Sequence, residues 1–360
     1  MGGEALLHPP PRWRGPEWAR QLAIEGAHFY TSLFGEASAI WRVAPGFVSE
    51  LFRSGVYPSQ MTFRKLAYIP ERSDIRRLRE LNPTWEFRPD FDPREWVIVL
   101  LHGYIDNSGA VWIASRLAAR GYQVYLVRYP FLRGIRRLTG ELADMLERIA
   151  HRERGKRIVP LGHSLGGFLW DHLLLHRPEV VQRYRMPLYI PMGSPHFGTL
   201  AAHLGIGQSA AEMLPGSRIV HDHLSRTFPE DLEVYPFVSR FDVFVLPIET
   251  ALLRRGVNYV FSETGHLAQV ARRETIVAIE EILASPREIL EERAEQRPFW
   301  PSAFTWGLSQ LPRRLQKKLG VAGILDYVLG AEDPPEFRIR IVHHELRTGE
   351  LPELRHPPPR

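Results

Sequence analysis

Residues Gly162-His163-Ser164-Leu165-Gly166-Gly167 decide the fold of this 360-residue chain. The apolar run Arg157-Ile158-Val159-Pro160-Leu161 precedes them and predicts a short buried strand, while the run from Phe168 to Leu175 predicts a helix. Glycines within the stretch allow the two segments to pass more closely than a Cβ would permit. The pattern therefore predicts a sharp strand–turn–helix connection that exposes the hydroxyl of Ser164.

Strand and helix signals alternate on both sides of this turn. The predicted strands are Met61 to Tyr68, Trp96 to Leu101, Gln123 to Val127, Ile158 to Leu161, Pro187 to Met192, Phe241 to Leu246 and Val257 to Phe261. The predicted helices between and after them are Ala110 to Arg120, Leu138 to Ile149 and Glu274 to Leu283. Such alternation predicts the α/β class, with a mostly parallel sheet flanked by helices.

The regular alternation divides the chain into three parts. Residues 1–60 are predicted as a helical N-terminal extension, 61–290 as the main α/β domain and 291–360 as a C-terminal extension. Within the main domain, residues 198–236 interrupt the alternation with helix signals. We expect this insertion to arch over the carboxyl edge of the sheet as a lid, with a merely structural crossover as the alternative.

The C-terminal extension begins with a charged helix, predicted from Pro286 to Gln296. Near its end, Phe337 to Ile341 alternates apolar and basic residues, which predicts an edge strand. Between them, Phe304 to Leu329 carries apolar residues beside a group of cations: Arg313, Arg314, Lys317 and Lys318. This segment and an apolar stripe in residues 1–60 could bind a lipid surface or pack on their own domain.

Composition excludes several kinds of chemistry. The chain has no cysteine, so disulfides, thiolate catalysis and cysteine metal sites are excluded. Its net charge of +5 comes with no recognised nucleic-acid-binding motif, so no nucleic-acid partner is expected. Neither a secretory signal nor an apolar run of membrane-spanning length is visible, so a cytoplasmic protein is expected, with peripheral attachment to a membrane as a variant of that expectation.

A serine hydroxyl becomes a nucleophile when a base takes its proton and a carboxylate orients that base. His266 follows the last predicted strand of the main domain in Thr264-Gly265-His266-Leu267 and is the predicted base. Asp242, near the preceding strand, is the predicted acid, and Glu249 and Asp231 are its rivals. The order serine, acid, histidine is the one that a strand–turn–helix nucleophile requires.

The negatively charged oxygen of a tetrahedral intermediate needs hydrogen-bond donors. The amide of Leu165 would lie at the N-terminus of the helix after Ser164, where the helix dipole favours negative charge. A second donor should come from the loop His102-Gly103-Tyr104, which follows the strand Trp96 to Leu101. The amide of Tyr104 is the predicted second donor.

These segments together resemble the α/β-hydrolase superfamily, and within it the lipase/esterase group with a Gly-His-Ser-Leu-Gly-Gly nucleophile elbow. The resemblance is carried by Leu101 to Tyr104, Gly162 to Gly167, Gly193 to Thr199, Asp242 and Gly265-His266. It implies a carboxylic ester hydrolase that acts on a small-molecule or lipid ester through an acyl-serine, without a metal or organic cofactor, in lipid metabolism. His196 is usually structural or lines the pocket in such proteins.

Two other functions fit the same residues. An acyltransferase would use the same triad and pass the acyl group to an acceptor other than water. A membrane-surface or scaffold protein could use a hydrolase fold and bind through its extensions, and weak membrane contact is expected even of an active enzyme. Two histidine pairs, His172 with His176 and His221 with His223, have spacings that a metal could use, but we interpret them as solvated helix faces.

Overall fold

The computed structural model describes residues 61–66, 75–104, 108–262, 264–298, 302–329 and 336–342. These residues build a sheet of ten strands in the order β1-β3-β2-β4-β5-β7-β8-β10-β9, with β6 beside β5. The strands are β1 Thr62–Leu66, β2 Trp96–Leu101, β3 Gln123–Arg128, β4 Arg157–His163, β5 Leu188–Met192, β6 Glu233–Val234, β7 Phe237–Ser239, β8 Asn258–Phe261, β9 Glu295–Pro298 and β10 Glu336–Val342. β1 and β9 pair antiparallel with their neighbours, and the other described pairs are parallel.

Helices cover both faces of this sheet. They are α1 Ile75–Leu81, α2 Ser108–Ala118, α3 Ile135–Arg152, α4 Leu165–His176, α5 Glu179–Arg183, α6 Gly207–Glu212, α7 Arg218–Leu224, α8 His266–Gln269, α9 Arg273–Ala284, α10 Arg287–Glu292, α11 Ala303–Ser309, α12 Arg313–Lys318 and α13 Ala322–Leu329. Three short 3₁₀ helices among the described residues are Pro93–Glu95, Leu200–Leu204 and Ile248–Ala251.

The central strand β2 explains why its sequence is a continuous apolar run. Val97, Val99 and Leu101 pack in one core with α3 and α4. Ile98 and Leu100 point to the opposite face and pack in a second core with α2 and α9. Because successive side chains of a strand alternate between faces, a strand covered on both sides needs apolar residues throughout.

The sheet has a parallel series of strands with one antiparallel strand at each edge, helices on both faces and a sharp turn from β4 into α4, and this is the α/β-hydrolase fold. The predicted fold class is therefore confirmed. The insertion after β5 contains the 3₁₀ helix Leu200–Leu204 followed by α6 and α7. Its role as a lid and the three domain boundaries stay predictions.

The strand predicted from Phe241 to Leu246 is wrong. The strand of this region is β7, which ends at Ser239, and residues 241–246 form a turn and bends. The carboxylate of Asp242 accepts hydrogen bonds from the amides of Phe244 and Val245, each at 2.8 Å. An aspartate that binds the backbone two and three residues ahead folds the chain into a turn, and this overrides the β-propensity of the apolar residues.

The C-terminal prediction needs two corrections. The charged helix ends at Glu292, and residues 295–298 form the edge strand β9. β10, predicted at an edge, lies inside the sheet, parallel to β8 and antiparallel to β9. Phe337 and Ile339 are buried in a third core, so pairing on both sides completes the burial that their alternation signals. The C-terminal segment thereby extends the sheet beside the strand that leads to His266.

Residues 1–60, and with them the predicted N-terminal stripe, lie outside the described residues. Within the described part of the chain, no helix has both the length and the apolar character that crossing a bilayer requires.

Candidate active site

Ser164 stands at the sharp turn between β4 and α4. Its backbone has φ 54° and ψ −122°, a left-handed conformation that side-chain-bearing residues rarely adopt. A Cβ built at Gly162 would lie 2.5 Å from the amide nitrogen of Gly167, and one at Gly166 would lie 2.5 Å from the carbonyl oxygen of Leu101. The turn therefore requires glycine at both positions. It leaves the Ser164 side chain half-buried at the carboxyl edge of the sheet.

His266 and Asp242 form a buried pair at the same edge. Nδ1 of His266 lies 2.6 Å from Oδ2 of Asp242, and both residues are 3% exposed. A carboxylate oxygen can only accept a hydrogen bond, so the proton is assigned to Nδ1. This tautomer places the lone pair on Nε2, which is the form that a general base at the serine needs.

The strand ends bring this pair together across the sheet. Asp242 follows the end of β7, and His266 follows the end of β8, which pairs with β7 in parallel. The other oxygen of Asp242 accepts the two backbone amides of its own turn, so the carboxylate is held in one orientation. The two loops emerge side by side, which explains how residues 24 positions apart make a direct contact.

The rival acids occupy other environments. Glu249 is fully buried, but it accepts hydrogen bonds from the amide of Ser302 and the hydroxyl of Thr305, each at 2.5 Å. Its carboxylate therefore holds the N-terminus of α11. Asp231 lies exposed in a turn before β6. Of the three candidates, the structure places Asp242 against His266.

A second histidine, His163, packs against His266. The rings of His163 and His266 are 4.6 Å apart between centroids, and Nε2 of His163 lies 3.3 Å from the carbonyl oxygen of His266. Burial lowers the pKa of His163 well below its usual range, and the neighbouring His266 acts in the same direction. A neutral His163 can hold the His266 backbone without placing a positive charge beside the His266 ring.

Of the two predicted oxyanion donors, Leu165 follows Ser164 directly in the chain, and Tyr104 lines the same cavity as Ser164. Leu165 begins α4, and the first amides of a helix have no carbonyl partner within it. A Cβ built at Gly103 would lie 2.9 Å from Nδ1 of His163 and 3.2 Å from Cβ of Ser164. The loop that carries Tyr104 thus passes directly against the elbow. Gly103 and Tyr104 of this loop line the same cavity as Ser164.

The Tyr104 side chain ties this loop to the insertion, a contact that no sequence signal indicated. The amide of Ile206 donates to the Tyr104 hydroxyl at 2.8 Å, and that hydroxyl donates to the carbonyl of Ile206. The Tyr104 ring packs edge-on against Phe131, with centroids 4.9 Å apart. The loop that bears a predicted oxyanion donor is therefore linked to the segment above the site.

Ser164 and His266 face one cavity of about 140 Å³ between the sheet edge and the insertion. Its lining residues in the described part of the chain include no Asp, Glu, Lys or Arg. They are Gly103, Tyr104, His163, Ser164, Pro195, Thr199, Ala201, Ala202, Leu204, Gly205, Ala210, Met213, Phe244, His266 and Leu267. The insertion supplies most of the apolar wall.

A second buried carboxylate–histidine pair lies behind the elbow. Nδ1 of His196 is 2.7 Å from Oδ2 of Asp171, and the hydroxyl of Tyr189 donates to Oδ1 of Asp171 at 2.9 Å. His196 and Asp171 are 2% and 1% exposed, and neither lines the cavity. The pair joins α4 to the loop that follows β5, which is a structural role.

The interpretation of the histidine pairs as solvated is wrong for His172 and His223. Both are buried, and Nδ1 of His172 lies 3.3 Å from Nε2 of His223. The reason is that α7 of the insertion packs against α4, which covers the face that the sequence left open. His221, on the other side of α7, is exposed as expected. Among the described residues, no group of three side chains is arranged to hold a metal ion.

The buried histidines predict a loss of stability in acid. Burial lowers the pKa of His172 to about 3 and that of His223 to about 4, and the nearby cation Arg226 also lowers the former. In the unfolded chain both titrate near their ordinary pKa of about 6.5. Their contribution is therefore complete above about pH 6.5, and each costs up to about 1.4 kcal/mol per pH unit as the pH falls towards about 4.

Urea unfolding at a series of pH values measures this slope. His223→Gln should reduce it by about one proton, since the variant no longer takes up that proton on unfolding. His221→Gln, from the exposed face of the same helix, is the matched control and should keep the parental slope. Equal slopes for the His223 and His221 variants would contradict the assignment.

Comparison with known proteins places few constraints on this chain. No protein-family model and no curated protein matches it. Among solved structures, it is similar to the mature form of the lipase BlEst2 from Bacillus licheniformis, with a TM-score of 0.45 and 14% identity over 62% of this chain and 98% of that one. It is also similar to Est1E from Butyrivibrio proteoclasticus, with a TM-score of 0.38 and 11% identity over 64% of this chain and 95% of that one.

A third similar structure is MGS-MChE2, an α/β hydrolase from the metagenome of sediments of the Mar Chica lagoon in Morocco. Its TM-score is 0.38 and its identity 14%, over 65% of this chain and 96% of that one. Likenesses of this size carry no information on activity or substrate. The fold class rests on this chain's own strand order and on the geometry of its elbow.

Proposed function

We propose that this protein is a serine hydrolase that cleaves carboxylic esters through an acyl-serine intermediate. One observation carries the proposal: Ser164, in a strained turn, lines the same cavity as His266, which Asp242 holds through Nδ1. A strained residue at a cavity wall beside an oriented base is the arrangement that nucleophilic catalysis by serine requires.

Each residue then has a defined role. Oγ of Ser164 attacks the ester carbonyl while Nε2 of His266 takes its proton, and Asp242 stabilises the resulting imidazolium. The amides of Leu165 and Tyr104 stabilise the negative oxygen of the tetrahedral intermediate. The carbon–oxygen bond to the alcohol breaks, and His266 returns the proton to the departing alkoxide.

Water completes the cycle. It attacks the acyl-serine as His266 takes one of its protons, and that proton returns to Oγ of Ser164 as the acid departs. Every proton that moves is exchanged between substrate, water and these side chains. The reaction therefore closes with residues of this chain and one water molecule.

The lining and the volume of the cavity favour one class of acyl group. Its walls are apolar and, among the described residues, carry no acidic or basic side chain other than histidine. An apolar cavity of about 150 Å³ holds a molecule the size of benzene, which corresponds to about six carbon atoms. A volume of about 140 Å³ therefore favours an uncharged, apolar acyl group of short or medium length.

Labelling with a fluorophosphonate tests the mechanism, since this reagent traps an activated serine. Mass spectrometry of the digested protein should find a single adduct, on Ser164, and heat-denatured protein should not react. Across a series of p-nitrophenyl esters, kcat/KM should be highest near the hexanoate and lower for the acetate and the palmitate. An adduct on another serine, or none, would contradict the proposal.

Acyl transfer to another acceptor is distinguished in the same assay. With an added alcohol, a hydrolase releases mainly the free acid, whereas an acyltransferase forms mainly the new ester. Both outcomes require the acyl-serine, so product analysis separates them while the labelling result stays the same.

A further inference from the structure

In the segment from Ser302 to Leu319, which we call the C-terminal hairpin, polar side chains are buried and several large apolar side chains are exposed. Its side chains of Thr305 and Gln316 are buried, at 0% and 7% exposure. Four of its six large apolar side chains are exposed to solvent, namely Phe304 45%, Trp306 40%, Leu315 39% and Leu319 39%, while Leu308 and Leu311 are half-buried. Apolar side chains normally occupy the interior and polar ones the surface, so this pattern needs an explanation.

Polar anchors hold the hairpin in this orientation. The Thr305 hydroxyl and the Ser302 amide donate to the buried carboxylate of Glu249. Nε2 of Gln316 donates to backbone carbonyls of the turn between α11 and α12, at 2.9 Å for Leu311 and 3.1 Å for Ser309. Rotating the apolar residues inwards would leave these buried polar groups unpaired, which is costly. The exposure of these four apolar side chains is therefore a stable feature of the fold.

The C-terminal hairpin is also strongly cationic. Residues 302–325 contain four cations and no Asp or Glu. Arg313 pairs with Asp326, whereas no ion pair among the described residues involves Arg314, Lys317 or Lys318. Two of the four lysines of the whole chain lie in this one helix. The C-terminal hairpin therefore exposes both apolar and positively charged side chains.

The hairpin is joined to the insertion that covers the cavity. A Cβ built at Gly320 would lie 2.0 Å from the carbonyl oxygen of Pro215, so the two backbones are in direct contact. A Cβ built at Gly323 would lie 3.2 Å from Cδ1 of the Leu224 side chain. Met213, two residues before Pro215, lines the cavity. The segment that directly follows the hairpin therefore contacts the insertion, which forms part of the cavity wall.

We propose that the C-terminal hairpin binds the surface of a bilayer that contains anionic lipids. Leu315, Leu319 and the two exposed aromatic residues would enter the boundary between headgroups and acyl chains, while Lys317 and Lys318 contact the headgroups. A protein partner fits less well, because lysine is depleted in protein interfaces. A nucleic acid gives no role to the leucines. The inference concerns where the protein acts and does not depend on its ester chemistry.

Co-sedimentation of the full chain with vesicles tests the proposal. Binding should be strong to phosphatidylcholine mixed with phosphatidylglycerol and weak to phosphatidylcholine alone. The variant Arg314→Gln/Lys317→Gln/Lys318→Gln should bind anionic vesicles about 100-fold more weakly, since each cation near such a surface contributes about fivefold. Leu315→Ser/Leu319→Ser should also weaken binding, because it removes apolar contact and keeps every charge.

The control removes three exposed cations elsewhere, each of which pairs with a glutamate, as Arg137→Gln/Arg177→Gln/Arg183→Gln, and should bind as the parent does. Full binding by the hairpin charge variant, or equal binding to both kinds of vesicle, would overturn the proposal. Failure of the parent protein to bind vesicles would also overturn it. If the parent instead forms a concentration-dependent dimer that Leu315→Ser/Leu319→Ser does not form, these apolar side chains join two copies of the chain.

The binding test is independent of catalysis. Ser164→Ala protein should sediment with anionic vesicles as the parent does, even if it hydrolyses nothing. Conversely, the hairpin variants should hydrolyse a water-soluble ester at the parental rate. Loss of membrane binding and loss of esterase activity are therefore separate results.

Discussion

Ser164→Ala should abolish ester turnover, with kcat about 10⁶-fold lower than that of the parent protein. In the proposed mechanism the substitution removes the atom that bonds to the acyl group, while the amides of Leu165 and Tyr104 remain in place. These donors alone leave a residual rate about 10³-fold above that in water. The loss is measured by stopped assay of p-nitrophenyl hexanoate hydrolysis with high protein concentration.

The Ser164→Ala variant should keep the parental fold. Alanine is smaller than serine and leaves the glycines of the elbow unchanged, so the circular dichroism spectrum and Tm should match those of the parent. Ser225→Ala, an exposed serine outside the cavity, is the matched control and should retain full activity. Turnover by the Ser164 variant at a substantial fraction of the parental rate would rule out the acyl-serine mechanism.

Asp242→Asn should lower kcat by about 10⁴-fold with little change in KM. The amide oxygen of asparagine can still accept from the Phe244 and Val245 amides, so the turn is preserved. Its NH₂ group would then face Nδ1 of His266 and donate to it. The ring would have to carry its proton on Nε2, where it can no longer take one from Ser164.

The two rival carboxylates supply the controls. Asp231→Asn makes the same chemical change at an exposed turn and should leave kcat unchanged. Glu249→Gln should lower Tm, because it weakens the cap of α11, and should leave kcat near the parental value. A large loss of kcat in the Glu249 variant with a small one in the Asp242 variant would reverse the assignment of the acid.

The strand predictions succeed where burial and periodicity agree. β2 is covered on both faces, so every residue is apolar and the run is visible without any tertiary information. The apolar run from Phe241 to Leu246 looked similar but forms a turn, because the Asp242 carboxylate competes for its amides. A side chain that hydrogen-bonds to nearby backbone is not visible in hydrophobic periodicity, and for this reason the predicted strand lies later in the sequence than β7.

The sequence pattern predicts secondary structure better than it predicts which side chains are exposed. His172 and His223 lie on different helices, 51 positions apart, and are buried because α7 packs on α4. β10 looked like an edge strand because Arg338 and Arg340 alternate with its apolar residues, yet β9 pairs with its outer side. Arg338 and Arg340 instead pair with Glu291 and Glu281. Long-range packing of this kind leaves no local trace in the sequence.

By itself, the sequence determined the turn at Ser164 and the class of the fold. The elbow depends on backbone sterics within six residues, and the sheet depends on the alternation of apolar strands and helices, so both are local properties. Only the tertiary structure decided which carboxylate contacts His266 and which face of the C-terminal hairpin meets solvent. The first depends on two loops, distant in sequence, that meet at one edge of the sheet. The second depends on the packing of the hairpin against the buried carboxylate of Glu249. Both sets of contacts exist only in the folded chain.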